Sequence, residues 1–193
     1  VLLQDLYEGL TAEAADGSIV PGAAQSWSVS EDGRTWTFKL RENLRWSDGT
    51  PLTAAQFVAG LDAARVEGSQ APYSALLQQV TSASATDSRT VVLEVARAVP
   101  YLPAVLALPV AAPQNLATSA GTSIIGNGPY RLLRRRPGEK IELERNPDYH
   151  SAGSVAIERV TYLTLEDLNT ELNLYRSGAL DVTSEVPNTQ IGW

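Results

Sequence analysis

The run AQSWSVSEDGRTWTFKLRENLRWSDGTPLTAAQF occupies residues 24–57. At its centre Trp36, Phe38 and Leu40 alternate with Thr35, Thr37 and Lys39, which places three large apolar side chains on one face of an extended strand. Asp32-Gly33 before that strand and Asp48-Gly49 after it supply residue types that tolerate positive φ, so both read as turns. Thr50-Pro51 holds the backbone extended. Thr53, with Gln56 three residues on, is a capping box that opens a helix. The expected order is strand, turn, strand, turn, capped helix. Of the chain's 4 tryptophans, Trp27, Trp36 and Trp46 lie inside this run. In so strand-rich a setting they read as core rather than as a stacking surface for a ligand.

Toward the N-terminus, residues 1–10 (VLLQDLYEGL) place Leu2, Leu3, Leu6 and Leu10 near one helical face, with Gly9 as the stop. Asp16-Gly17 reads as a turn and residues 19–22 as a short extended piece that breaks at Pro21. Toward the C-terminus, the helix opened by Thr53 is expected to reach about Arg65, with Phe57, Leu61 and Ala64 as its apolar stripe. Gly68 and Ser69 end it, and Pro72 starts a short helix through Leu77. Val91, Leu93 and Val95 form a strand after an Asp87-Ser88 turn, and residues 101–106 a short helix. Between residues 113 and 128 the apolar period is lost to Ala, Ser, Thr, Gly and Asn, as in a connection between domains. Beyond it, strands at 130–135 and 140–145 flank a Pro137-Gly138 turn, and another strand spans 157–164. A helix at 166–176 carries Leu168, Leu172 and Tyr175 on one face, with Gly178 as C-cap. Strands mixed with helices in this order predict an α/β or α+β chain of two unequal units.

Composition narrows the function. The 193 residues, 44% of them hydrophobic, suffice for one or two ordinary cores. A net charge of −7 argues against a nucleic-acid or anionic-membrane surface. The one basic run, Arg134-Arg135-Arg136, reads as a solvated strand end. No apolar run approaches the length of a transmembrane helix. Cysteine is absent, which removes disulfides, thiolate catalysis and Cys-based zinc sites. Methionine is absent too, even at position 1, so Val1 is expected to follow a removed segment or a cut, and no signal peptide is visible.

The succession Ser26-Trp27, Asp32-Gly33, Trp36-Thr37-Phe38, Leu40-Arg41, Trp46-Ser47-Asp48-Gly49-Thr50-Pro51, Thr53-Ala54 and Phe57 resembles the signature of the family 5 extracellular solute-binding proteins. These are the peptide- and nickel-binding receptors of ABC importers. Further blocks extend the resemblance over nearly the whole chain: Asp5-Leu6-Tyr7-Glu8-Gly9-Leu10, Ala71-Pro72-Tyr73, Val99-Pro100-Tyr101, Asn127-Gly128-Pro129-Tyr130, Leu143-Glu144-Arg145-Asn146-Pro147 and YRSGALD at 175–181. The wording is nearest to the oligopeptide and murein-peptide receptors. The resemblance implies a fold class: α/β (mixed α+β), periplasmic-binding-protein-like type II, present in part. In that fold two lobes joined by crossover strands close over an extended peptide, and a smaller domain is inserted into the first lobe. By resemblance, residues 10–113 are the inserted small domain, and 1–9 with 114–193 are part of the first lobe. Two departures stand out. The segment between Leu77 and Arg89 is shorter than usual, and the sequence stops at Trp193. The chain is therefore expected to be an N-terminal fragment lacking the second lobe and the strand before Val1.

The mechanism implied is main-chain pairing, in which a peptide adds as a strand and roomy, hydrated pockets accept varied side chains. The residue that the resemblance carries over as ligand-binding is Tyr73. A tyrosine offers a flat apolar face and a hydroxyl that donates or accepts; packing at the start of its own helix is the alternative. Glu31, Asp32, Glu42 and Asp48 can be imagined as an acid–base pair for glycoside hydrolysis, but turn chemistry already accounts for the two aspartates. His150 is the only histidine. Without cysteine or a second histidine, a transition metal would need carboxylates for the rest of its shell, so a packing or surface role is expected. Asn127-Gly128-Pro129 is too short for a phosphate loop and reads as the turn where the chain re-enters the first lobe. No GxSxG elbow presents a serine to His150. The sequence reads as no enzyme, with no cofactor and no metal.

The leading expectation is the substrate-binding component of a peptide ABC transporter, outside the cytoplasmic membrane, with an oligopeptide as ligand and a membrane permease as partner. A receptor for another solute (dipeptide, glutathione, nickel chelate, sugar) and a stand-alone interaction or regulatory module remain as alternatives. A lobe cut from its partner exposes a sheet edge, so some self-association is expected.

Overall fold

Strand β4 (Thr35–Leu40) is paired on both sides, by β3 (Ala24–Val29) and by β6 (Thr90–Val95), and β5 (Val80–Asp87) completes an antiparallel sheet of order β3-β4-β6-β5. The computed structural model describes residues 2–66, 73–114, 124–183 and 185–187. Register sets Trp36 opposite Leu93 and Phe38 opposite Val91, while Trp27 stands opposite Phe38. The apolar face read from the sequence is thus the buried face: Trp36, Phe38 and Leu40 are all buried. Trp46 is buried with them and Trp27 packs against the cluster from its rim. Gly33, at φ 70°, lets the β3–β4 connection turn.

Helix α2 (Ala54–Ala64) begins where the capping box places it, and the Thr53 N–H donates to Gln56 Oε1 at 2.9 Å. Phe57, Leu61 and Ala64 are buried in the same core. The Arg65 guanidinium donates to the carbonyls of Val80 and Thr81 at 3.2 and 3.1 Å, tying the end of α2 to the start of β5. Helix α3 (Leu102–Val105) adds Leu102 and Val105 to the core. This first cluster runs in sequence from Leu10 to Ala111.

A second antiparallel sheet has the order β7-β8-β9 (Tyr130–Arg136, Lys140–Arg145, Arg159–Leu163). Its inward side chains, Leu132, Leu143, Ile141, Val160 and Tyr162, gather with Tyr130 and with Leu6 of α1 (Leu2–Leu6) in a separate, smaller cluster. Among the described residues Tyr7 packs against both clusters.

Several expectations are corrected. Helix α1 ends at Leu6, not at Gly9, and its leucines do not share a face: Leu6 joins the smaller cluster, Leu10 the larger, and Leu3 is exposed. Gly9 serves close packing, since a Cβ there would collide with the Leu106 carbonyl. Residues 11–13 form a strand, β1 (Thr11–Glu13), that pairs with β2 (Ile19–Pro21) across the Asp16-Gly17 turn. Strand β5 has no apolar alternation to announce it. The short helix placed at 72–77 is a 3₁₀ turn at Ser74–Gln79. Gly68, Ser69, Pro72 and the middle of the 113–128 connection lie outside the described residues. Helix α4 (Leu168–Arg176) buries Leu172 but leaves Leu168 and Tyr175 exposed.

Turn aspartates fix the connections. Asp16, Asp32, Asp48, Asp87 and Asp167 each accept from a nearby hydroxyl (Ser18, Ser30, Thr50, Thr90, Thr170), and those bonds hold their carboxyls below the usual range. Depressed folded values mean that the stabilisation is present above the unfolded carboxyl value of about 4 and is lost as pH falls below it. Urea midpoints should therefore decline steadily from pH 5 to pH 2. In the core, Leu93→Ala should lower the unfolding free energy by about 2–5 kcal/mol. Val29→Ala, on the exposed edge strand, should stay within about 0.5 kcal/mol of wild type in the same urea series.

Candidate functional site

The two passages of the chain between its cores, residues 5–9 and 124–128, run against each other. Built onto Gly126, a Cβ would strike the Leu6 carbonyl; built onto Gly128, it would strike Asp5 and Leu6 main chain. Glycine is required at both. The Gly128 N–H donates to Leu6 O at 2.9 Å. Between them, the buried Asn127 side chain brackets one residue: Oδ1 accepts from the Glu8 N–H at 3.1 Å, and Nδ2 donates to Glu8 O at 2.9 Å.

The Glu8 side chain, only 8% exposed, points to the loop after β8. Tyr149 Oη donates to Oε1 at 2.6 Å, and His150 Nε2 lies 2.7 Å from Oε2. A carboxylate only accepts, so Nε2 carries the hydrogen. On the other side of the ring, Nδ1 lies within hydrogen-bond distance of Ser151 Oγ, 2.8 Å away. The rings of Tyr149 and His150 are tilted together at 4.3 Å. Three residues before Glu8, Asp5 Oδ2 accepts from Tyr162 Oη at 2.6 Å. Burial, reinforced by the Glu8 charge and hydrogen bond, pushes the Tyr149 phenol well above its ordinary value. Burial and the Asp5 bond do the same for Tyr162. A cavity of ≈ 450 Å³ opens beside this node, lined among others by Tyr7, Glu8, Gly9, Glu13, Pro129 and Tyr149.

Of the residues singled out from sequence, His150 and the Asn127-Gly128-Pro129 turn fall at the node and the others fall elsewhere. Tyr73 stands apart from the cavity, 65% exposed, with a left-handed backbone at φ 64°. Asp32 and Asp48 serve the turns, and Glu42 pairs with Arg89 at 2.8 Å; no acid–base pair is assembled from them. Arg134 and Arg136 project from β7 beside Glu142 and Glu139. His150 lies at the node. Its side chain is 10% exposed, and Ser151, His150 and Glu8 stand in a row like the members of a hydrolytic triad. The carboxylate is shared with Tyr149 and the Glu8 main chain is fixed by Asn127, so the row also joins segments far apart in the chain. Among the described residues no group of three or more His, Cys, Asp or Glu is placed to hold a metal ion. Glu8, Asn127 and Tyr149 were not legible as partners, since 119 to 142 residues separate the contacts.

The family model for bacterial extracellular solute-binding proteins, family 5, matches residues 18–192. The chain is 34% identical to the periplasmic oligopeptide-binding protein OppA of Salmonella typhimurium over 93% of its own length and 38% of the relative's. It is 33% identical to the probable deoxycholate-binding periplasmic protein YgiS of Escherichia coli, over 98% of this chain and 40% of that one. Among solved structures, the murein tripeptide-binding protein MppA in its unliganded open form superposes with a TM-score of 0.91 at 28% identity, over 97% of this chain and 41% of that one. Haemophilus influenzae OppA in complex with RPPGFSPFR gives 0.90 at 31% identity, over 98% and 42%. The architecture is thus part of the type II periplasmic-binding-protein fold, and the chain spans about two fifths of the length of the proteins it matches.

The raised phenols give an optical test. The folded state keeps Tyr149 and Tyr162 protonated at pH values where unfolded tyrosine, with its value near 10, ionises; stability should fall as pH rises beyond about 10. In a phenolate absorbance titration, replacing both residues by Phe should leave the curve up to about pH 11 unchanged. A loss of amplitude there would show that they ionise normally.

Proposed function

Because this chain belongs to the bacterial extracellular solute-binding proteins of family 5, we propose that it is part of the substrate-binding component of a peptide ABC importer. It captures extended oligopeptides without chemical change and passes them to a membrane permease. The observation that carries this reading is the match along nearly the whole chain to oligopeptide and murein-peptide receptors, at TM-scores of 0.90 and 0.91. The relatives' names place them in the periplasm, and among the described residues no helix is long and apolar enough to cross a membrane. The proposed location is the periplasm or the outer face of the cytoplasmic membrane.

Residues 10–113 are proposed as the inserted small domain, and 1–9 with 114–193 as part of the first lobe. The separation of the two apolar clusters supports this division. Tyr73 is proposed as a ligand contact. Its ring is exposed, and a left-handed backbone at a bulky residue costs on the order of 1–3 kcal/mol, a strain that concentrates at ligand clamps. The outer edge of β9 pairs with no strand among the described residues, and such an edge is proposed to give weak self-association. A non-peptide solute is the second reading, favoured by the relative named for deoxycholate.

Titration calorimetry tests these readings together. This 193-residue chain and a longer parent carrying the rest of the relatives' length would each be titrated with a mixed tri- to pentapeptide pool and with deoxycholate. Peptide binding by the longer chain alone is expected. Binding of deoxycholate and no peptide would overturn the peptide reading. In the longer chain Tyr73→Ala should weaken peptide binding by roughly 3- to 10-fold, the effect of losing one aromatic contact; unchanged affinity would remove Tyr73 from the site.

A further inference from the structure

The chain passes between its two cores twice, and along each passage the hold changes sides, on the return passage at Gly128, whose O accepts from Asn146 Nδ2 at 2.9 Å. Gly9 O accepts from the Ala23 N–H at 3.1 Å, so Gly9 is gripped from the side of the larger core. Its neighbour Glu8 is gripped by Tyr149 and His150 from the loop after β8. On the return passage Gly126 is gripped by Ser47, whose N–H donates to Gly126 O at 2.8 Å and whose Oγ accepts from the Gly126 N–H at 3.2 Å. The next residue, Asn127, turns its amide back onto Glu8. The two passages are therefore bonded to each other at the positions where the grip changes sides.

The cores differ greatly in size. Leu6, Tyr130 and Leu143 are the buried members of the smaller cluster, whereas the larger extends from Leu10 to Ala111. A three-stranded sheet over so few buried side chains is marginal alone. Apolar packing gives it little of the larger core's stability, since Tyr7 is the side chain that both clusters share among the described residues.

We propose that the Glu8–Asn127 pair is a clasp that couples the two cores, so that the β7-β8-β9 sheet opens only when the larger core opens. Both groups of the Asn127 amide and both main-chain groups of Glu8 are satisfied by this one contact. Removing it leaves a buried donor and a buried acceptor unpaired, at the point where the two sides meet. The sheet then follows its own, weaker equilibrium.

Native-state amide hydrogen exchange, read by mass spectrometry on the 193-residue chain, tests the clasp. In the wild type the slowest amides of β8 should open together with those of β4 and β6. In Asn127→Ala the β8 amides should exchange at least about tenfold faster, the change that follows from one lost buried pairing, while β4 and β6 keep their rates. Equal acceleration in both sheets, no acceleration in either, or a wild-type β8 that already opens on its own would each overturn the clasp. Should Asn127→Ala not fold, Tyr149→Phe decides. It removes one hydroxyl from the Glu8 carboxylate and should show the same selectivity at smaller amplitude; a uniform change or none would again overturn the proposal.

Discussion

Main chain lies directly on main chain where residues 126–128 cross residues 5–7, and the architecture depends on that contact. Gly126 and Gly128 leave no room for a Cβ against Leu6 and Asp5. Close approach at this depth creates a second demand, because peptide groups so shielded from water must find partners. The Leu6 carbonyl takes the Gly128 N–H, and the Glu8 peptide takes the Asn127 amide. Small residues bring the passages together, and one planar side chain then satisfies what the approach has buried.

Electrostatics on the outer faces works differently. Along the second sheet Arg131 meets Glu144 at 2.7 Å, Lys140 meets Glu142 at 3.1 Å and Arg134 lies 3.8 Å from the same glutamate. These pairs are partly exposed, and pairs of this kind contribute about 0–1 kcal/mol each. Their effect is to keep the solvent face of the sheet polar while its inner face carries Leu132, Leu143 and Val160. An acidic chain can thus hold a cationic strand end such as Arg134-Arg135-Arg136 with no anionic partner molecule.

What could be read from sequence was local and periodic. The alternation at 35–40, the Asp-Gly turns and the Thr53–Gln56 box each determine their own neighbourhood, and each stands where it was read. Strand β5 was invisible because VTSASATD has small or polar residues at every position but its first, and its place comes from pairing with β6 rather than from its own pattern. Gly9 was misread as a helix stop because glycine does two jobs, tolerating positive φ and permitting contact, and sequence does not say which. Tyr73 was legible only through resemblance; its left-handed backbone is a tertiary outcome that no residue preference predicts. The Glu8 node was not legible as a set, although Glu8, Asn127 and His150 each stood in a stretch already singled out. Its partners are single residues more than a hundred positions away, with no period or spacing to connect them.

The node also shows why a polar junction can hold an arrangement that apolar packing would leave loose. Apolar contact is non-directional, so two greasy surfaces can slide at little cost. A carboxylate shared between a phenol and an imidazole, with its own peptide bracketed by an amide, is satisfied in one geometry only. Any slippage leaves buried polar groups unpaired, which costs more than the bonds contribute when made. The buried carboxylate is therefore weak evidence for added stability and stronger evidence for a defined orientation. In a receptor-type fold that distinction matters. Under the proposed function, a ligand contact such as Tyr73 must keep a fixed relation to the rest of the chain, and the hydrogen bonds at the crossing are the directional contacts that can hold one.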